Sequence, residues 1–138
     1  MAPRMGTTDV TALPRLLVVD DDPTILRLLV TILGGSYALG TARSGAEALA
    51  AVAEGAVFDG AILDVVMANM DGFELAEQLR APGPMAELPI VMLTALDNAE
   101  HRRRALEVGA NAFITKPFEP ELLEATLSMH IPRVSLFP

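Results

Sequence analysis

The sequence predicts an α/β fold: five alternating βα units building a three-layer, doubly wound domain around a five-stranded parallel sheet. Three observations carry this prediction. Short runs rich in Val, Ile and Leu recur between stretches of helical periodicity, and these runs lack the polar alternation of a half-exposed sheet. Four of them also end on residues suited to phosphate or metal chemistry: LLVV at Asp20 and Asp21, AIL at Asp64, IVML at Thr94 and AFIT at Lys116.

Residues 1–14, with Thr, Gly and Pro and no periodicity, read as a flexible lead-in. The first strand starts at Leu16. Asp22 and Pro23 form an N-cap and N1 pair, and Ile25, Leu26, Leu28, Leu29, Ile32 and Leu33 trace a helix that stops at Gly34-Gly35. The second strand spans roughly Tyr37 to Ala42. Ser44 and Glu47 have the spacing of a capping box, opening a helix with Leu49 and Val52 that ends near Gly55. The third strand runs from about Val57 to Leu63. Asp71-Gly72 turns into a helix carrying Phe73, Leu75, Ala76 and Leu79, which must end before the Ala81-Pro-Gly-Pro84 segment. Ile90 to Thr94 form the fourth strand, the polar DNAEHRRR stretch leads into a helix ending near Gly109, and Ala112 to Thr115 form the fifth strand. Pro120 opens a last helix with Leu122, Leu123, Thr126 and Leu127 on or near one face. Residues 130–138 read as a tail or the start of a linker, so the folded domain is placed at 15–129.

At 138 residues the chain has room for one core. No apolar run approaches the roughly 18 residues that span a bilayer, and the N-terminus lacks a signal peptide's apolar stretch, which predicts a cytoplasmic protein with no membrane partner. The absence of cysteine excludes disulfides and thiolate metal sites. A net charge of −8 argues against direct nucleic-acid binding, which needs clustered Lys and Arg.

In a parallel sheet the terminal residues of the runs gather at its carboxyl edge, where open α/β sheets place their ligands. Asp20, Asp21 and Asp64 then share one crevice with the Thr94 hydroxyl and the Lys116 ammonium. Hard oxygen ligands suit Mg²⁺, and Mn²⁺ as a substitute, while Thr94 and Lys116 supply donors to phosphoryl oxygens. The pattern reads as a metal-dependent phosphoryl-transfer site. Crowded carboxylates repel one another, and a cation resolves the conflict.

Over Arg15 to Met129 the chain resembles the receiver domains of two-component response regulators, of the chemotaxis-regulator type. LLVVDDDP is similar to that family's acidic first-strand end, AILDVVMANMDG to its phospho-acceptor segment, IVMLTA to its switch-hydroxyl strand and FITKPF to its lysine-proline motif, all in family order. The resemblance implies a flavodoxin-like strand order 2-1-3-4-5. It further implies that Asp64 accepts a phosphoryl group from the phosphohistidine of a histidine kinase or a histidine phosphotransfer protein, with Mg²⁺ required. On that footing Asp21 is a direct metal ligand, Asp20 acts through water, and the backbone carbonyl of Val66 also reaches the metal. Thr94 and Lys116 bind phosphoryl oxygens, and the small Ala95 leaves the donor's path open. Phe113 takes the place of the aromatic switch, and Lys116-Pro117 that of a cis peptide. The surface of the fourth helix, fifth strand and fifth helix becomes a phosphorylation-dependent partner or homodimer site. Such a protein is no enzyme beyond its own phosphorylation and dephosphorylation. The resemblance departs at Ala68, where the family usually carries proline.

Plainer readings stand beside these. Asp22 serves as a helix cap, the His101 to Arg104 run reads as a solvated helix face, and Phe113 alone could be a core residue. Two competing functions also remain at this point. Asp20-x-Asp22-Pro-Thr24 resembles the first motif of haloacid-dehalogenase-type phosphatases, with Asp20 as nucleophile and Asp22 as general acid. Against it, Glu119, Glu121 and Glu124 lie in a helix instead of forming an acidic pair after the lysine. The other is a non-phosphorylated pseudo-receiver that only binds partners, although such domains normally lack some of the five site groups, all present here.

Overall fold

The structure is a computed structural model in which residues 13–131 are described; 1–12 and 132–138, covering most of the expected lead-in and tail, lie outside the described residues. Five strands, β1 (Arg15–Val19), β2 (Ala38–Ala42), β3 (Gly60–Leu63), β4 (Ile90–Thr94) and β5 (Ala112–Thr115), alternate with five helices. These are α1 (Pro23–Leu33), α2 (Gly45–Ala53), α3 (Gly72–Leu79), α4 (Ala99–Glu107) and α5 (Pro120–His130). Every strand pair is parallel and the sheet order is β2-β1-β3-β4-β5, as the resemblance implies.

Successive strand side chains point to opposite faces, so each central strand feeds two cores. Leu17, Val19, Ala61, Leu63, Ile90 and Met92 pack on one side with residues of α2, α3 and α4, among them Ala48, Phe73, Leu75 and Ala105. Leu16, Val18, Ile62, Val91, Leu93 and Ile114 pack on the other with Leu26, Leu29 and Leu33 of α1 and Leu123 and Leu127 of α5. This two-sided burial is why the strands read as continuous apolar runs. Each fully buried leucine contributes about 1.5–3 kcal/mol relative to exposure.

The helix starts follow local chemistry. Asp22 caps α1, accepting from the Thr24 N–H at 2.9 Å. Ser44 caps α2 by accepting from the Glu47 N–H, but Glu47 returns its carboxylate to the Arg43 N–H, one residue before the cap, so the reciprocal half of the expected box is displaced. The complete capping box belongs to Asp71 and Glu74 at α3.

Besides β1, which begins one residue earlier than expected, at Arg15, three boundaries differ from the sequence reading. Strand β2 begins at Ala38, because the Tyr37 N–H donates to Leu33 O at the end of α1 and is unavailable to the sheet. Strand β3 begins at Gly60, because Gly60 pairs with Leu16 and residues 57 and 58 precede the start of the neighbouring strand; Val57 is exposed. In α5, Leu122 points to solvent while Leu123 and Leu127 are buried. That helix includes His130, where the tail was expected to begin. Ile131 is buried against Gly60, where a Cβ would lie 2.3 Å from Ile131 Cδ1.

Candidate functional site at the carboxyl edge of the sheet

Strand register brings the acidic groups together. Leu63 pairs with Val19, and the Asp64 N–H donates to Val19 O at 2.9 Å, so Asp64 emerges beside Asp20 on the adjacent central strand. Oxygens of Asp20, Asp21 and Asp64 lie within 4.8 Å of one another. Asp20 and Asp64 are buried, at 2% and 5% exposure, whereas Asp21 is open to solvent. On the opposite side, Lys116 places Nζ 2.8 Å from Asp20 Oδ2 and 3.5 Å from Asp64 Oδ1. The second oxygen of Asp20 accepts the Asp22 N–H.

Burial pushes the Asp64 carboxyl from 3.8 up to about 6; the charge of Asp20 adds to the rise, Lys116 opposes it, and Asp21 adds a smaller push. Three converging carboxylates, one of them open to water, are a donor set for a small hard cation such as Mg²⁺. The chemistry of this set fits the metal, since a divalent charge would offset both the burial and the repulsion that raise the Asp64 carboxyl.

Thr94 is fully buried at the end of β4, and its Oγ1 accepts the Leu96 N–H at 3.2 Å. The Lys116 N–H donates to Thr94 O, which fixes the relative heights of β4 and β5 at the crevice. Ala95 is exposed beside Thr94, Phe113 is half-buried in β5, and the Lys116–Pro117 peptide is cis. Val66 and Leu96 are exposed, at 53% and 49%. They border a cleft of about 350 Å³ that also reaches Phe73 and His101.

The loop from Asp64 to Asp71 is shaped without a proline at Ala68. Gly72 donates its N–H to Val65 O, and a Cβ on Gly72 would lie 2.1 Å from Asp64 O, so only glycine closes the loop this tightly. Asn69 adopts a left-handed conformation, φ 69°, and the Asp71–Glu74 box anchors the far end.

The basic run of α4 is neutralised internally. Arg102 pairs with Asp97, Arg103 with Glu107, and Arg104 with Glu77 and Glu107. Arg102 and Arg103 are exposed, as the solvated-face reading of HRRR expects, whereas His101 and Arg104 are half-buried against Phe73. Asp22, the required general acid of the phosphatase reading, has its carboxylate engaged as the α1 cap.

Sequence reasoning missed several contacts. His101 Nδ1 lies 3.2 Å from Leu96 O, and its ring meets Phe73 edge-on, so α4 holds the β4–α4 loop directly. Arg80 donates to Ala86 O, Leu88 O, Gly109 O and Asn111 Oδ1, tying the end of α3 to the starts of β4 and β5. No spacing marks such pairs. The Asp71-x-x-Glu74 box, by contrast, was readable from its spacing.

Comparison with known proteins gives the same answer. Residues 16–128 match the family model described as the response regulator receiver domain. The chain is 38% identical over 122 residues to the response regulator MprA of a Mycobacterium species (strain KMS), a match covering 88% of this chain and 52% of MprA. It is 38% identical over 135 residues to the sensor histidine kinase RcsC of Salmonella typhimurium, covering 94% of this chain and 14% of RcsC. The chain thus spans about half, or less, of the curated relatives it matches. Among solved structures, the chemotaxis protein CheY4 of Vibrio cholerae superposes with a TM-score of 0.81 at 37% identity, covering 87% of this chain and all of CheY4. With the fold, the acidic crevice and the sequence match coinciding over nearly the whole described length, the chain belongs to the response regulator receiver domain family.

Proposed function

We propose that this domain is the phospho-acceptor of a two-component phosphorelay, in which Asp64 takes a phosphoryl group from a phosphohistidine. The donor is a histidine kinase or a histidine phosphotransfer protein. The observation that carries this reading is the meeting of Asp20, Asp21 and Asp64 with Lys116 in one crevice next to Thr94.

An oxygen of ionised Asp64 attacks phosphorus as the phosphorus–nitrogen bond of the donor breaks, and the bonding pair leaves with the imidazole. Asp20, Asp21, Asp64 and the carbonyl of Val66 would hold Mg²⁺, which supplies charge neutralisation for the transferring phosphoryl oxygens. Lys116 moves from its carboxylate partners toward the new phosphoryl oxygens, and the Thr94 hydroxyl exchanges the Leu96 N–H for the same group. Ala95 leaves the approach open. Phe113 responds to the movement of Thr94 and alters the α4-β5-α5 surface, where a partner or a second copy binds.

Incubation with acetyl phosphate and Mg²⁺, followed by intact mass and by the Asp64→Asn variant, tests the reading. A hydroxylamine-labile adduct present on the wild type and lost in Asp64→Asn is expected. Turnover of a phosphate ester without an adduct would favour a phosphatase, and no reaction would favour a pseudo-receiver.

A further inference from the structure

The β4–α4 loop is linked to the Phe113 ring through a single side chain. Asp97 lies three residues past Thr94 in that loop, and both of its oxygens accept from Arg102, Oδ1 from Nε at 2.5 Å and Oδ2 from Nη2 at 2.9 Å. The guanidinium so held lies over the Phe113 ring, with Cζ 4.9 Å from the centroid. Phe113 itself is half-buried at the edge of a groove of about 280 Å³ between α4 and β5, which Arg102, Leu106 and Asn111 also line. Neither neighbouring arginine reaches that ring. Arg103 pairs with Glu107, and Arg104 lies over Phe73.

We infer that Arg102 is a positioning residue for Phe113: anchored by Asp97, its guanidinium covers the ring and holds it at the α4–β5 groove, which favours the unphosphorylated protein. The inference rests on the functional reading above and names a regulator of that site. A bidentate guanidinium–carboxylate pair tolerates little displacement, because both N–H donors must stay aligned with both oxygens. When Thr94 moves toward a phosphoryl group the loop carrying Asp97 moves with it, the fork loses its alignment, and Arg102 releases the ring. Lysine replaces this function only in part, since its ammonium keeps the charge but lacks both the fork and the flat face that stacks on an aromatic ring.

The test uses the whole chain with Mg²⁺ and beryllofluoride, read by NMR as the half-saturating beryllofluoride concentration and as the Phe113 ring signals before addition. An exposed cation–π contact is modest, so Arg102→Ala is expected to lower that concentration by about two- to fivefold and to shift the Phe113 signals in the unliganded protein. Asp97→Asn should act in the same direction, the double variant should gain nothing further, and Arg102→Lys should fall between wild type and Arg102→Ala. Arg103→Ala, which removes an equal charge from the same helix, should match wild type. An unchanged or raised half-saturating concentration in Arg102→Ala, or fully additive effects of the two substitutions, would overturn the inference while leaving the phospho-acceptor reading intact. A wild-type protein that takes no beryllofluoride would overturn that reading, and the role of Arg102 with it.

Discussion

Lys116 lies closer to Asp20 than to Asp64, with Nζ 2.8 Å from one carboxylate and 3.5 Å from the other. Asp64, buried as well, therefore has the more distant share of this cation. Burial, with the charge of Asp20 added, outweighs the lysine and raises the Asp64 carboxyl to about 6.

The raised value sets a stability prediction. Folding favours the protonated form of Asp64, so its ionisation penalises the folded state progressively as pH rises from 3.8 to about 6, and fully above that. Without divalent cations, Asp64→Asn should stabilise the protein at pH 7.5 by about 1–2 kcal/mol after allowance for solvent screening, and by nothing below pH 4. Urea denaturation at both pH values checks this. A variant less stable than wild type at pH 7.5 would mean that the Lys116 contact outweighs burial.

Metal binding should depend most on the open member of the triad. Asp21 is exposed and lies within reach of the other two oxygens, whereas Asp20 is already committed to Lys116 and the Asp22 N–H. Asp21→Asn is expected to remove most of the Mg²⁺ or Mn²⁺ affinity measured by titration calorimetry. Retained affinity would take Asp21 out of the site.

Arg80 should matter for stability and not for chemistry. Its guanidinium serves four acceptors far from the crevice, and burial lowers its pKa, an effect the charge of Glu87 opposes. Arg80→Met deprives the carbonyls of Ala86, Leu88 and Gly109 of this donor and should cost about 2–4 kcal/mol in chemical denaturation. Labelling by acetyl phosphate at a temperature where the variant stays folded should be unchanged. Loss of labelling in a folded variant would show coupling between Arg80 and the crevice.

The lifetime of the acyl phosphate should be long. On the proposed function, Val66 and Leu96, which border one cleft, flank the path of the hydrolytic water, and these exposed apolar side chains offer no group to orient it. A Val66→Asn, Leu96→Glu double variant is expected to lose its phosphoryl group several-fold faster than wild type, followed by intact mass over time. Equal or slower decay would show that these side chains do not control the water.

What the sequence determined by itself was the order of elements and the gathering of Asp20, Asp21, Asp64, Thr94 and Lys116 at one edge. Parallel strands buried on both faces announce themselves as apolar runs, and once the strands are parallel their last residues can only meet at the carboxyl edge. Tertiary structure decided everything that depends on partners distant in the chain. Lys116 chooses Asp20 across 96 residues, Gly72 closes on Asp64 where Ala68 supplies no proline, and Tyr37 yields its N–H to α1 instead of β2. Arg80 and Arg102 look alike in sequence, each one arginine at a helix end or in a basic run. One became a hub for backbone carbonyls and the other a cover for Phe113, because hydrogen-bond and cation–π partners are set by which surfaces packing brings within a few ångströms, and periodicity carries no record of that.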